Sequence, residues 1–406
     1  MSLRFLPSRH PLEFGLLLLL AVFLPLIEAP KNLAWLAYGA AWIANRARTR
    51  DFGGAWDGWD TLFAAWIASG FVVAAFSGLQ QSEWRGAGDL LRYGSVLWMV
   101  KRGGYDRASL RLVAGALVAS GLAGLAFGYW QLHVSHRRNA LELHSVGHVN
   151  HTAIYLALLL GAGAAWIFAR WRAWSAARRA FAAAIGLLFL VSLVVTQSRG
   201  AIGIGLLAVP ALAAAWWPRW RAPLLASLAV LAVTVALAVG LGAEVVKKQQ
   251  ARMQEANVLA FRDGVWRSAL AAWERFPLFG VGMDNYSGIS PERIEGWRRE
   301  AGKPYDAADY VRFPHGHSLL FNTLAERGLV GTAALGAVLA AWLVALVRRR
   351  PRPEDDDHAW FRWGAAATAW FVTVGAGTVN TTLHHEHGML AVLFLALWLG
   401  QPRRAG

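Results

Sequence analysis

The chain has 406 residues, 56% of them hydrophobic, with 22 Trp, no Cys and a formal net charge of +15. A soluble domain is usually only about 45–50% apolar, so composition excludes an ordinary soluble fold, and the lack of cysteine excludes disulfides, thiolate metal ligands and a thiol nucleophile. The positive charge is scattered through short segments between apolar blocks, which argues for membrane topology and against nucleic-acid binding.

The apolar residues form continuous blocks of roughly 17–25 residues, the length that crosses a ~30 Å hydrocarbon layer. They are continuous and not alternating, which predicts an all-α, polytopic helical membrane protein and excludes a barrel. Arg4 and Arg9 precede the apolar run Leu16–Leu20 as in a signal peptide, but no small-residue cleavage site follows, so a retained first helix is expected. Spans are predicted near 12–29, 31–45, 60–79, 88–100, 110–132, 152–170, 180–197, 201–217 and 223–243, then near 317–347, 360–380 and 388–400, about 12 transmembrane helices in all. The 88–100 block is weakly apolar; 317–347 is too long for one crossing, which puts its first turns, with Glu326 and Arg327, at the interface. Trp171, Trp174, Trp216, Trp217 and Trp220 sit near block ends, as in an interfacial aromatic belt.

With the N-terminus in the cytoplasm, the loops carrying Arg46, Arg48 and Arg50, Lys101, Arg102 and Arg107, Arg170 to Arg179, Arg219 and Arg221, Arg348 to Arg352, and Arg403 and Arg404 all fall inside. The opposite short loops carry only Lys31, Arg85, Arg137, Arg138 and Arg199. This alternation predicts cytoplasmic termini and an exported loop. Three regions follow: an N-terminal transmembrane bundle, 1–243; a long, partly helical loop, 244–316; and C-terminal transmembrane helices, 317–406. Within the loop, Val258, Phe261, Val265, Ala269 and Ala272 have helical spacing, predicting an amphipathic helix over 255–275 that Pro277 ends. Gly280 and Gly282 predict a tight turn with positive φ, and a polar helix is expected near 290–301.

Three residues stand out as carriers of chemistry. Arg199, between two apolar blocks, is either a snorkelling arginine or a guanidinium whose planar fork holds a phosphate or pyrophosphate, with Ser198 adding a hydroxyl and Gly200 allowing close approach. Arg262 shares a helix face with Trp266 and Ala269, either as a solvated charge paired with Asp263 or Glu255 or as a second oxyanion ligand. His317, two residues after His315 at the mouth of a predicted helix, is either a capping histidine or a neutral imidazole that accepts a proton, kept neutral by nearby arginines. Histidines also gather at 144, 148 and 151 and at 384, 385 and 387; His144 and His148 at i, i+4 suit zinc on one helix face, but headgroup or acceptor contacts are the reading preferred here. No phosphate-binding Gly-Lys-Ser/Thr loop and no HExxH occurs, so the sequence offers no route to ATP use.

Taken together, Ser198-Arg199-Gly200, Arg262 with Trp266, Pro277 with Gly280 and Gly282, and His317-Ser318 with Gly328 and Gly331 resemble the O-antigen ligase family. The same superfamily holds O-antigen polymerases and bacterial O-oligosaccharyltransferases; the latter often carry additional C-terminal sequence. The resemblance implies a glycosyltransferase of the inner membrane that moves a glycan from undecaprenyl diphosphate to lipid A–core on the periplasmic face. No cofactor, metal or ATP is implied. It implies His317 as general base and Arg199 and Arg262 as pyrophosphate ligands, with Ser198, Trp266, His315 and Arg312 near the substrates and Arg293, Arg298 and Arg299 as further candidates for lipid A phosphates. A lipid-glycan transporter is the competing class; it would be expected to show internal repeats and broken spans with polar groups at the midplane.

Overall fold

The computed structural model describes residues 10–216, 221–232 and 258–400. Arg4, Arg9, Trp217, Arg219, Trp220, the 233–243 half of one expected span, Lys247, Lys248, Arg252, Glu255, Arg403 and Arg404 lie outside the described residues. Among the described residues the fold is helical throughout, with no strand. The helices are α1 (Pro11–Phe23), α2 (Glu28–Thr49), α3 (Gly58–Phe76), α4 (Glu83–Lys101), α5 (Arg107–His133), α6 (Val149–Arg170), α7 (Ala176–Val195) and α8 (Arg199–Ala215). They continue with α9 (Ala222–Ala232), α10 (Val258–Arg275), α11 (Pro291–Glu300), α12 (Leu319–Arg348), α13 (Asp357–Gly377) and α14 (His385–Leu399).

Among the described residues helices stand at the expected span positions, but those long and apolar enough to cross a membrane by length and composition number five: α3, α5, α6 (with the following turn), α7 and α12. α1, α8, α9 and α14 are shorter apolar helices, whereas α4 carries charges through its first half and α2 and α13 carry them near their ends. α6 is apolar on nearly all sides and correspondingly central, packed against α13, α8, α7 and α14. α14 is buried from Glu386 to Leu399. α7, by contrast, leaves Phe181, Leu187 and Val191 exposed, a face suited to hydrocarbon.

Several charges inside the bundle are paired. Asp60 on α3, fully buried, accepts from Lys101 at 2.8 Å and from Arg102 at 2.7 Å, both also buried. Removing one member of such a group strands the others, at a cost of about 3–5 kcal/mol. Asp60→Ala is therefore expected to lower the thermal midpoint in detergent sharply, while Glu354→Ala, at an exposed position, leaves it unchanged.

The motif glycines explain the irregular end of α12. The sequence marks 317–347 as too long for one crossing, and Gly328, at φ 56° and ψ −158°, breaks the helix after its first turns. The break frees the Ala325 and Glu326 carbonyls and the Leu329 and Val330 N–H groups, which must find partners because water is scarce there. The segment after α10 supplies them. Val281 and Gly282 N–H donate to Ala325 and Glu326 carbonyls at 2.8 and 2.9 Å, and Leu329 and Val330 N–H donate to the Pro277 and Leu278 carbonyls at 2.8 and 3.1 Å. On its other side Gly280 and Val281 carbonyls accept from Gly78 and Leu79 N–H at 2.9 and 3.1 Å.

Gly280 and Gly282 take positive φ, as the sequence predicts, and a Cβ on Gly280 would lie 2.5 Å from the Ala325 carbonyl oxygen. Glu326 and Arg327 face protein: Glu326 accepts from Asn322 Nδ2 at 2.8 Å, and Arg327 donates to Ser69 Oγ at 2.8 Å. A Cβ at Gly328 would meet the Leu278 carbonyl at 2.4 Å, in a backbone region that other residues enter only at about 1–3 kcal/mol. Gly328→Ala should lower the thermal midpoint and misplace everything before α12; Gly336→Ala, on the same helix with open space around it, should not.

Candidate active site

Four helix N-termini meet at one end of the bundle. Ser198, the residue before α8, donates its hydroxyl to Asn150 Oδ1 in the first turn of α6 at 2.8 Å. His151, next along α6, lies 4.7 Å between ring centroids from both His384 and His385, at the start of α14. His315, before α12, is 6.5 Å from His151, and its Nδ1 is 3.5 Å from Thr381 Oγ1. Each helix start presents N–H groups with no partner inside the helix and a partial positive charge. Four together make an anion-binding environment before any side-chain charge is counted.

His317 sits at the edge of this convergence. Its ring is 4.4 Å from His315 and 4.6 Å from Phe313, with Phe261 of α10 at 6.5 Å. Its backbone is left-handed, φ 46°, a conformation that disfavours a residue with a Cβ. Gln197, Leu383 and His385, in the turns entering α8 and α14, share that conformation. Nδ1 of His317 is buried and has no hydrogen-bond partner. Burial first, then the positive potentials of His315, Arg262 and His148, push its pKa down to about 4, so the imidazole is neutral at neutral pH. His315 is pushed down to about 4 as well, mainly by burial and then by His148 and His385.

Arg262 is on α10 and half-buried. Burial, then the charge of Arg199, lower its pKa, so the two guanidiniums are electrostatic neighbours although 63 residues apart in sequence. Asp263, one of the two partners offered by the solvated-charge reading, is instead held by Arg267 at 3.0 Å. Arg199 is the first residue of α8 and exposed. Arg262 thus lies within electrostatic range of both Arg199 and His317, and His315 lies against His317.

The other expected residues divide. Ser198 is buried, its hydroxyl engaged in tying α8 to α6. Gly200 serves packing, since a Cβ there would meet Val379 at 2.6 Å. Trp266 stacks on Phe321 of α12 at 5.1 Å and joins the small core that holds α10. Arg312 is exposed and lines a separate polar cavity of about 310 Å³ with Gln81, Ser287, Gly288, Ser290 and Arg293. His144 and His148 share no helix face, because 141–148 is not helical; His144 lies edge-on to Phe127 and His148 caps α6. Asn150, Thr381 and His384 were not singled out as site residues by the sequence. Their signal was the histidine clusters at two block ends, which nothing in the sequence placed side by side.

A family model described as O-antigen ligase matches residues 184–336. The matched range holds Arg199, Arg262 and His317 together with Gly280, Gly282, Gly328 and Gly331, and leaves out His151 and His384. A search of curated proteins finds no match to the chain. The family match supports glycosyl transfer of the O-antigen ligase or polymerase type. The chain is therefore similar to the O-antigen ligase family over residues 184–336, the stretch that holds Arg199, Arg262 and His317.

Proposed function

We propose that the protein transfers a glycan from undecaprenyl diphosphate to lipid A–core at the periplasmic face of the bacterial inner membrane, with both termini cytoplasmic and without ATP or a metal in the chemistry. What supports this reading is a neutral His317 with Arg262 in electrostatic range, Arg262 in turn in range of Arg199, beside the meeting helix N-termini. Such a site suits a substrate that arrives with two phosphates, and the diphosphate is already a good leaving group.

The steps balance with these groups alone. A hydroxyl of the acceptor sugar attacks the anomeric carbon of the donor, on the face away from the diphosphate. Its proton passes to His317; with Nδ1 buried, Nε2 is the atom that receives it. The bond from the anomeric carbon to the diphosphate oxygen breaks, and the electron pair leaves with undecaprenyl diphosphate. Attack from the far face inverts the anomeric centre. Arg199 and Arg262 hold the charge that grows on the leaving oxygen, worth ~10²–10³ in rate per donor, and the general base contributes ~10²–10⁴. A pKa of about 4 makes His317 a weak base in the empty site. The bound diphosphate adds negative charge beside it and raises its basicity when the proton must move.

The test uses purified full-length protein in detergent, lipid-linked glycan and lipid A–core, with EDTA and no nucleotide. Glycosylated lipid A–core is the expected product. Elongation of the lipid-linked glycan would make the protein a polymerase, and glycan movement across vesicles without covalent transfer would make it a transporter.

A further inference from the structure

We propose that His151, His384 and His385 form a binding site for one zinc-class divalent cation, clamping the start of α6 to the start of α14. The three rings come from two helices far apart in sequence, with centroid separations of 4.7, 4.7 and 4.3 Å. One nitrogen from each lies within 4.8 Å of the others. Bound zinc, at about 2.0–2.1 Å from each nitrogen, requires these atoms to draw in to roughly 3.3 Å apart. His385 is exposed; the other two are half-buried.

Stacked imidazoles in a structural core satisfy both ring nitrogens. Here one nitrogen of His384 donates to the Thr381 carbonyl at 2.9 Å, which fixes its tautomer and leaves the other with a lone pair. That is the outer-shell arrangement usual for a ligating histidine. Glu386, between His385 and His387, is taken by Lys31 and by Ser145 Oγ, so no carboxylate joins the set. Three neutral imidazoles with no oxygen ligand favour Zn²⁺, Co²⁺, Ni²⁺ or Cu²⁺ over Mg²⁺ or Ca²⁺. A fourth position remains for water. Left-handed backbone at Leu383 and His385 turns this short segment so that both rings reach His151. The site adjoins His315 and lies outside the reacting groups proposed above, so its existence does not depend on that reading.

The experiment uses the full chain in detergent with any affinity tag removed, stripped with EDTA and then dialysed. Titrated Co²⁺ should give saturable visible absorption at one equivalent, displaced by Zn²⁺. X-ray absorption of the wild-type zinc form should show three imidazole nitrogens near 2.0 Å. Outer-shell changes alone weaken such sites 10–100-fold, so His151→Gln, His384→Gln and His385→Gln should each weaken Zn²⁺ by about 100-fold or more. His144→Gln should bind as the wild type does. No saturable Co²⁺ signal, oxygen-only coordination, or tight binding that survives His151→Gln and His384→Gln would overturn the site.

Discussion

His317→Ala is expected to abolish detectable transfer while the protein still inserts and folds, and His317→Gly to do the same with a thermal midpoint equal to or above that of the wild type. The two results separate function from structure. A histidine kept for packing would lower stability when removed. This one holds a left-handed φ of 46° and a buried Nδ1 with no partner. The backbone strain is worth about 1–2 kcal/mol, and an unsatisfied buried polar atom about 1–3 kcal/mol. Glycine relieves both and gives back roughly 0.5–1 kcal/mol through its freer unfolded chain.

The pH profile adds a further check. The neutral form is the active one, so activity falls as pH drops through the His317 pKa. In kcat/KM, which reports the free enzyme, the acid limb should lie near pH 4. In kcat it should lie higher, because bound diphosphate raises the pKa. A wild-type activity level in His317→Ala removes the base assignment; a kcat limb below the kcat/KM limb removes the diphosphate from its neighbourhood.

Arg262→Gln and Arg199→Gln are each expected to reduce kcat/KM about 10²–10³-fold. Lysine at either position should recover little, since a point charge does not reproduce the two-pronged guanidinium contact. Arg262→Gln carries a second signature. Arg262 is one of the charges depressing His317, so its loss should move the acid limb of kcat/KM upward. Arg199 acts first on Arg262, so Arg199→Gln should leave that limb closer to the wild type. If Arg262→Gln slows transfer with the limb unmoved, the two groups do not share a site.

How much of this was legible in the sequence varies by element. Helix positions followed from block length, and the amphipathic α10 and polar α11 followed from apolar spacing and from Pro277 and Gly302. The clasp did not. Gly280 and Gly282 read locally as a turn, but their real constraint is the backbone of α12 lying 2.5 Å from a Cβ at Gly280, a long-range contact. Gly328 likewise reads as a helix residue until its φ and ψ show a break.

For the site, Arg199, Arg262 and His317 stood out one by one because a cation or imidazole beside hydrocarbon needs a reason. Their convergence, and the union of two histidine clusters through His151, depend on how α6, α8, α12 and α14 are arranged. Periodicity reports each helix and says nothing of its neighbours. Ser198 and Trp266 show the converse: polar or aromatic residues beside a site whose partners prove to be protein.

The central claim is tested most directly by cryo-electron microscopy of His317→Ala bound to the intact lipid-diphosphate donor, which the missing base leaves unreacted. The account predicts the diphosphate between the guanidiniums of Arg199 and Arg262, with the anomeric carbon turned toward position 317. A diphosphate seated in the Arg293 and Arg312 cavity, with Arg199 and Arg262 untouched, would contradict it.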